Sequence, residues 1–139
     1  FDTLSKQPLS SFTLLYIEDN TNNFFVIKRV LEQISDARVI HAPTAALGLG
    51  LATSLKPDII LMDINLPDMN GFDALTRLQN IEETHDIPVI AISAYVTAAD
   101  VNKGIQAGFC EYLAKPVDFE VFSQTITDII SNKEPVTPT

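Results

Sequence analysis

Five short apolar runs without polar alternation divide the chain, and they constrain its fold more than any other feature. They span residues 12–17, 38–42, 59–62, 89–92 and 109–114. A strand that is apolar on both faces has to be covered on both faces, which is typical of a parallel sheet between two layers of helices. The runs therefore predict a buried parallel sheet of five strands.

The stretches between these runs have the spacing of amphipathic helices, with apolar residues recurring on one face. The residues that mark four of the helices are Ile27, Val30, Leu31 and Ile34; Leu47, Leu51 and Leu55; Phe72, Leu75 and Leu78; and Phe122, Thr125, Ile126 and Ile129. A further helix, over residues 98–106, has a shorter apolar stripe that includes Ile105, and it contains Gly104, so we expect it to be the most weakly packed. Five βα repeats predict a doubly wound α/β fold with right-handed crossovers.

One domain over residues 12–131 accounts for this pattern, with residues 1–11 as an N-terminal tail and 132–139 as a C-terminal tail or linker. The 18 Asp and Glu residues against 9 Lys and Arg residues give a net charge of −9, which disfavours direct binding of nucleic acid. No apolar run approaches the roughly 20 residues of a membrane helix, and the N-terminus is unlike a signal peptide, so we expect a cytoplasmic domain without membrane contact. The single cysteine, Cys110, excludes an internal disulfide, and its place in the fifth run predicts a buried thiol.

Polar side chains follow four of the five predicted strands. Glu18 and Asp19 come after the first strand, Asp63 after the third, Ser93 after the fourth and Lys115 after the fifth. The carboxyl ends of parallel strands meet at one edge of the sheet, where such folds bind their ligands. Carboxylates about 4 Å apart repel by roughly 4 kcal/mol per pair at an effective dielectric near 20. A divalent cation with oxygen ligands, Mg²⁺ above all, is the natural counter-charge.

The remaining residues of this group suit a phosphoryl group. A carboxylate can act as a covalent nucleophile and form an aspartyl phosphate. Ser93 and Lys115 would supply a hydroxyl and a positive charge beside a phosphoryl group on Asp63. The pattern thus predicts Mg²⁺-dependent phosphorylation of an aspartate.

Four segments carry a resemblance to a known family. They are LYIEDN at 15–20, ILMDINLPDMNG at 60–71, ISA at 92–94 and YLAKP at 112–116. In order and spacing they resemble the signature segments of response-regulator receiver domains, and the resemblance covers residues 11–131. It implies the flavodoxin-like fold of that family, with five parallel strands in the order 2-1-3-4-5.

The resemblance also implies roles for the polar residues. Asp63 would be the phosphoacceptor and Lys115 a catalytic residue beside it. Asp19 would bind the metal directly, Glu18 largely through water, and Asn65 through its backbone carbonyl. The metal would be Mg²⁺, with Mn²⁺ as an alternative ion.

A second set of residues would act as a switch. The resemblance implies that Ser93 would be the catalytic and switching hydroxyl and that Tyr112 would be the aromatic switch residue. Phosphorylation is expected to draw Ser93 toward the phosphoryl group and to let Tyr112 turn inward. Asn65 and Tyr95, two positions after the acceptor and after the hydroxyl, would tune how long the phosphate lasts. The resemblance further implies a cis peptide bond between Lys115 and Pro116.

The partners that the resemblance implies are a histidine kinase or a histidine phosphotransfer protein as phosphoryl donor. An output domain or a second copy of the domain would bind the face formed by the fourth helix, the fifth strand and the fifth helix. The Glu18-Asp19 pair, and the absence of an Arg-rich helix after Lys115-Pro116, favour the receiver of a hybrid histidine kinase, attached to a membrane-bound sensor. An isolated receiver is not expected to be an enzyme.

Three other functions are compatible with the fold class. A phosphatase of the haloacid-dehalogenase kind would need a second aspartate where Asp63-Ile64-Asn65 has asparagine. A nucleotide or flavin carrier would need a glycine-rich loop after the first strand, where the chain has Glu18-Asp19-Asn20-Thr21. An interaction module independent of phosphorylation would need a broken site, and every position of the site is filled.

Overall fold

A five-stranded parallel sheet with helices on both faces makes up residues 11–133, which are the residues that the computed structural model describes. In chain order the elements are β1 (Thr13–Ile17), α1 (Thr21–Ile34), β2 (Arg38–Ala42), α2 (Ala45–Leu55), β3 (Ile59–Asp63), α3 (Gly71–Gln79), β4 (Val89–Ser93), α4 (Ala98–Ala107), β5 (Glu111–Ala114) and α5 (Phe119–Lys133). The strands lie in the order β2-β1-β3-β4-β5, and every neighbouring pair is parallel. The predicted doubly wound, flavodoxin-like fold is confirmed.

The sheet separates two apolar cores. One core joins its face to α2, α3 and α4, and the other joins the opposite face to α1 and α5. Alternate strand residues point to opposite faces, so Leu15 and Ile17 belong to the first core, and Leu14 and Tyr16 to the second. We call these sides the α2–α4 layer and the α1/α5 layer.

The same alternation assigns the polar residues at the strand ends to layers. Glu18 continues the series of Leu14 and Tyr16, Asp63 that of Ile59 and Leu61, and Lys115 that of Leu113, and all of these apolar residues belong to the α1/α5 layer. Ser93 continues the series of Val89 and Ala91, which belong with Tyr112 to the α2–α4 layer. Period-two alternation thus places the three charged residues together and the two predicted switch residues together.

Of the three leucines that mark helix α2, only Leu51 packs against the core, where it is partly buried. Leu47 and Leu55 are 47% and 42% exposed, and the helix buries Ala45, Gly48 and Ala52 instead. A Cβ atom on Gly48 would lie 2.5 Å from Cδ1 of Ile17. The helix approaches the sheet so closely at Gly48 that a larger residue would not fit there.

Helix α4 is held weakly, in line with its short apolar stripe. Gly104 is its one buried residue, and Ile105 is 46% exposed. The prediction for Cys110 is wrong: the residue precedes β5 and is exposed. Its thiol donates a 3.3 Å hydrogen bond to the Val89 carbonyl oxygen, and partial burial of the sulfur raises its pKa to about 11.

The ends of the predicted domain fall near the limits of the described residues. Helix α5 reaches Lys133, two residues into the segment predicted as a tail. The rest of that segment, and residues 1–10, lie outside the described part of the chain. Within the described part, no helix has the length and apolar character that crossing a bilayer requires.

Candidate functional site

Three carboxylates converge at the carboxyl edge of β1 and β3. These strands are neighbours, with Ile17 opposite Met62, so the residues that follow Ile17 lie beside Asp63. Oxygen atoms of Glu18, Asp19 and Asp63 all lie within 4.8 Å of one another. Glu18 is completely buried and Asp63 is 4% exposed, while Asp19 faces solvent. The structure therefore brings together the three acidic residues that the sequence singles out.

Lys115 enters this cluster from β5. Its Nζ lies 2.9 Å from Oε1 of Glu18 and 2.9 Å from Oδ2 of Asp63, and its side chain is 22% exposed. The peptide bond from Lys115 to Pro116 is cis, as the family resemblance implies. Within residues 11–133, Lys115 is the one base that forms an ion pair with the cluster. With all groups ionised, three carboxylates and one ammonium leave two uncompensated negative charges, which fits a divalent cation.

The protonation of the cluster reflects this excess of negative charge. Burial raises the pKa of Asp63 above its usual range, and the charge of Glu18 raises it further. Hydrogen bonds from the Asn65 N–H and from Lys115 lower that pKa without cancelling the rise. Burial alone would lower the pKa of Lys115, but its hydrogen bonds to Glu18 and Asp63 outweigh burial and raise it. The pocket thus favours additional positive charge, whether a proton or a metal ion.

Glu18 is held by more than Lys115. The hydroxyl of Tyr16 donates to Oε1 over 3.0 Å, and the Asn20 N–H donates to Oε2 over 3.2 Å. Asn23 Nδ2 makes a longer contact of 3.5 Å with Oε1. Burial, and then the charge of Glu18, raise the pKa of Tyr16, so the hydroxyl keeps its proton and remains a donor. The apolar run around Tyr16 makes it look like an ordinary core residue in the sequence.

Hydrogen bonds within the loop after Asp63 hold its two ends together. The Asn65 N–H donates to Oδ1 of Asp63 over 2.9 Å, and Asn65 forms an isolated antiparallel bridge with Asn70. The Gly71 N–H donates to the Ile64 carbonyl oxygen over 2.8 Å, and a Cβ on Gly71 would lie 2.8 Å from Cα of Ile64. A glycine is therefore required at the start of α3, where the chain passes close to Ile64, the residue between Asp63 and Asn65.

Asp68 ties the same loop to helix α2. Its two oxygens accept 2.9 Å hydrogen bonds from the N–H groups of Ala45 and Ala46, at the start of α2. These two bonds lower the pKa of Asp68. Thr44 caps the next N–H, that of Leu47. Asp68 thus acts as a helix cap supplied from another loop, a role that local sequence does not reveal.

Ser93 is buried beside the pocket, but its hydroxyl serves the loop that follows β4. It donates to the Tyr95 carbonyl oxygen over 3.1 Å and accepts from the Tyr95 N–H over 3.2 Å. The Tyr95 side chain is 77% exposed. The hydroxyl that would contact a phosphoryl group is therefore occupied by the backbone of its own loop.

Tyr112 lies inward, within the α2–α4 layer. It is 9% exposed and meets Phe109 edge to face, with ring centroids 6.4 Å apart. A Cβ on Gly104 would lie 2.3 Å from Cδ2 of Tyr112, so the missing side chain of Gly104 leaves the space for the ring. Tyr112 thus lies inward in this structure, while the Ser93 hydroxyl bonds to the backbone of its own loop.

Replacing Gly104 by alanine is expected to force the ring of Tyr112 out of its site or to displace α4. Overpacking of this kind costs about 1–3 kcal/mol. Gly50, in α2, has no heavy atom within 4 Å of its Cβ position. Gly50→Ala is the matched control and should stabilise the domain by roughly 0.5–1 kcal/mol through helix propensity. Thermal melting and the NMR shifts of the Tyr112 ring measure both effects. Unchanged ring shifts in Gly104→Ala would show that Gly104 does not provide the space for the Tyr112 ring.

The chain is similar to a well-populated family. The family model for the response regulator receiver domain matches residues 14–127. The protein PilH of Pseudomonas aeruginosa is 34% identical over 118 residues, which are 85% of this chain and 97% of PilH. The polar-differentiation response regulator DivK of Brucella ovis is 33% identical over 121 residues, 86% of this chain and 97% of DivK.

Two solved structures extend this likeness to the fold. The receiver domain of sensor histidine kinase PA1611 from Pseudomonas aeruginosa, which has a magnesium ion coordinated in its active-site cleft, superposes with a TM-score of 0.78. It is 29% identical, and the match covers 88% of this chain and 99% of that one. The receiver domain of HemR from Leptospira biflexa has a TM-score of 0.77 at 28% identity, with 90% and 98% covered.

The fold and the match over residues 14–127 define a regulatory domain of two-component signalling. The chain belongs to the family of response regulator receiver domains. Phosphorylation and magnesium binding are typical of this family, and the acidic cluster of Glu18, Asp19 and Asp63 is of the kind that such binding needs.

Proposed function

We propose that this domain takes a phosphoryl group from a phosphohistidine onto Asp63 in a Mg²⁺-dependent reaction. One observation carries the proposal: the buried carboxylate of Asp63 lies within 4.8 Å of two further carboxylates and 2.9 Å from the ammonium of Lys115. An oxygen of Asp63 would form the new P–O bond as the P–N bond to the histidine breaks. The electron pair of that bond stays with the leaving imidazole nitrogen.

Position and exposure support the metal ligands that we propose. Asp19 is exposed at the mouth of the pocket and would bind Mg²⁺ directly, together with Asp63. Glu18 is buried behind them and would act largely through water, and Asn65 would offer its backbone carbonyl. When bound, Mg²⁺ neutralises the carboxylates and polarises the phosphoryl oxygens. Mn²⁺, which also prefers oxygen ligands, is the alternative ion.

Phosphorylation would then be read out through Lys115 and Ser93. A phosphoryl group adds about −1.5 to −2 charges at the acceptor. Lys115 already lies 2.9 Å from Asp63 and would pair with the new charge, while Ser93 would have to leave its two bonds to Tyr95. That exchange would move the loop after β4 and helix α4, with Tyr112 beneath it. Asn65 and Tyr95 flank the acceptor and the hydroxyl, and we propose that they tune the lifetime of the phosphate.

We assign the donor to a histidine kinase or a histidine phosphotransfer protein, and the parent protein to the hybrid kinases. Exposed apolar side chains on α1 and at the start of α5, Phe25, Val26 and Phe119, are 54%, 46% and 52% exposed. Val26 and Phe119 line a cavity of about 190 Å³ that reaches Lys115. The donor would dock on this apolar surface, in the cytoplasm, and the domain would span residues 12–131. An output domain or a second copy would bind the face formed by α4, β5 and α5.

Intact mass after incubation with a small-molecule phosphodonor and Mg²⁺ tests this function. We expect a single phosphoryl adduct, stable in acid and labile in base, on the parent chain. Neither Asp63→Asn nor the parent chain without metal should carry it, because the first lacks the nucleophile and the second lacks the cation.

Two results would contradict the proposal. If Mg²⁺ binds and no adduct forms with any phosphodonor, the domain is an interaction module that works without phosphorylation. Steady turnover of a phosphate ester by the isolated chain would make it a phosphatase.

A further inference from the structure

Tyr16 is a buried polar residue that the proposed reaction does not use. It lies in β1, the second strand of the sheet, and is 1% exposed. Its ring packs in the α1/α5 layer, with its centroid 6.3 Å from that of Phe24. Phenylalanine would fill this site equally well, so the hydroxyl needs a separate explanation.

The hydroxyl is directed at the acidic pocket. It donates a 3.0 Å hydrogen bond to Oε1 of Glu18, two residues further along the chain and on the same side of the sheet. A buried hydroxyl without a partner is costly, and a bond to a charged acceptor is stronger than one between neutral groups. The contact therefore constrains the Tyr16 ring and the Glu18 carboxylate mutually.

The two oxygens of Glu18 have different surroundings. Oε1 receives both the Tyr16 hydroxyl, at 3.0 Å, and the Lys115 ammonium, at 2.9 Å. Oε2 receives the N–H of Asn20 at 3.2 Å. Each carboxylate oxygen offers about two acceptor sites, so Oε1 is filled by its two strong donors and Oε2 retains capacity.

The hydrogen bond from Tyr16 matters because Glu18 has a long side chain. A glutamate has one more rotatable bond than an aspartate, so its carboxylate can adopt more positions unless something holds it. Lys115 bridges Glu18 and Asp63, so its position depends on both carboxylates. Tyr16 is anchored in the core and does not depend on Asp63.

We propose that Tyr16 is a positioning residue of the metal site. By holding Oε1 it orients the Glu18 carboxylate, so that Oε2 is the oxygen offered to Mg²⁺ or to a water in the shell of the ion. This inference rests on the proposed Mg²⁺ site. Residues that orient metal ligands in this way typically affect metal affinity by 10–100-fold.

The test compares Tyr16→Phe with the parent chain in Mg²⁺ titrations followed by calorimetry. Removal of the hydroxyl should weaken Mg²⁺ binding by about tenfold, at the low end of the range for such partners. Thr84→Val is the matched control. Thr84 is 1% exposed and its hydroxyl donates to the Leu78 carbonyl oxygen over 2.6 Å, away from the acidic cluster. The control should lower the melting temperature and leave the Kd of Mg²⁺ unchanged.

A second readout needs no metal. The carboxyl ¹³C resonance of Glu18 in metal-free protein should shift in Tyr16→Phe and stay in place in Thr84→Val. A double-mutant cycle adds a further check, because Tyr16→Phe should cause no additional loss of Mg²⁺ affinity in a Glu18→Gln background.

Two outcomes distinguish a failure of the role of Tyr16 from a failure of the proposed function. If the parent chain binds Mg²⁺ and Tyr16→Phe binds it with the same Kd and an unshifted Glu18 resonance, Tyr16 is a core residue only and the inference is wrong. If the parent chain does not bind Mg²⁺ at all, the proposed function fails, and the inference fails with it.

Discussion

Replacing Lys115 by methionine is expected to lower the free energy of unfolding of the metal-free domain by about 3 kcal/mol, since breaking a buried ion pair from one side costs 3–5 kcal/mol. Methionine keeps the apolar stem and removes the charge. Glu18 and Asp63 would then remain buried without the ammonium that now lies 2.9 Å from each. We take the low end of the range because Lys115 is 22% exposed, so water would replace part of the lost interaction. The melting temperature should fall by roughly 10 °C.

Lys28→Met is the control for this substitution. Lys28 pairs with Glu32 on the surface of α1, where the two side chains are 38% and 52% exposed. Surface pairs of this kind contribute about 0–1 kcal/mol. Added Mg²⁺ should stabilise Lys115→Met more than the parent chain, because the ion meets a more negative pocket. Equal losses for Lys115→Met and Lys28→Met would show that the pocket carboxylates do not depend on Lys115.

Replacing Asp63 by asparagine is expected to raise the free energy of unfolding of the metal-free domain, in contrast to Lys115→Met. In metal-free buffer at pH 7 the variant should melt about 5 °C above the parent chain, which corresponds to one or two kcal/mol for a domain of this size. Asparagine removes a buried charge that burial and Glu18 disfavour, and its side-chain oxygen can still accept from the Asn65 N–H. Lys115 keeps its partner Glu18.

The pH dependence of this difference follows from the raised pKa of Asp63. Its pKa is higher in the folded state than its ordinary value of 3.8. Between the two values the folded chain binds more protons than the unfolded chain, so the stability of the parent falls as the pH rises through that window. Asp63→Asn lacks this group and does not lose that stability. The advantage of the variant should therefore be absent below pH 3.8 and fully developed above the folded pKa.

Thermal melts between pH 3 and pH 8, with and without Mg²⁺, measure this behaviour. Asp128→Asn is the control, because Asp128 is an exposed carboxylate of α5 that accepts from Gln124. The stabilisation gained from Mg²⁺ should be smaller in Asp63→Asn than in the parent. If the melting temperatures of Asp63→Asn and the parent differed by the same amount at every pH, the claim that the carboxylates are crowded would be wrong.

The sheet and its polar edge are predictable because both depend on local pattern. A strand buried on both faces must be apolar throughout, so the runs at residues 12–17 and 59–62 mark β1 and β3 almost to the residue. The polar residues that end these runs must then meet at one edge of the sheet. The convergence of Glu18, Asp19 and Asp63 follows from this rule without knowledge of any side-chain contact.

What the pattern could not predict depends on distances across the fold. The leucines of α2 suggest a packing face, but the close approach of Gly48 to Ile17 decides which side is buried. Asp68 caps a helix that begins 23 residues earlier in the chain, and the residues around Asp68 give no indication of that bond. Tyr16 differs, because a tyrosine two residues before a buried glutamate lies on the same side of the strand and could have been recognised.

The alternation of strand residues distributes the polar residues of this domain between the two layers. Glu18, Asp63 and Lys115 extend from residues of the α1/α5 layer, whereas Ser93 and Tyr112 belong to the α2–α4 layer. The sheet therefore stands between these two sets of residues. A core substitution in the α2–α4 layer can alter the packing around Tyr112 without touching the acidic cluster, and a core substitution in the α1/α5 layer can alter the cluster without touching Tyr112. We expect the acidic cluster and the Tyr112 site to respond separately to substitutions in their own layers.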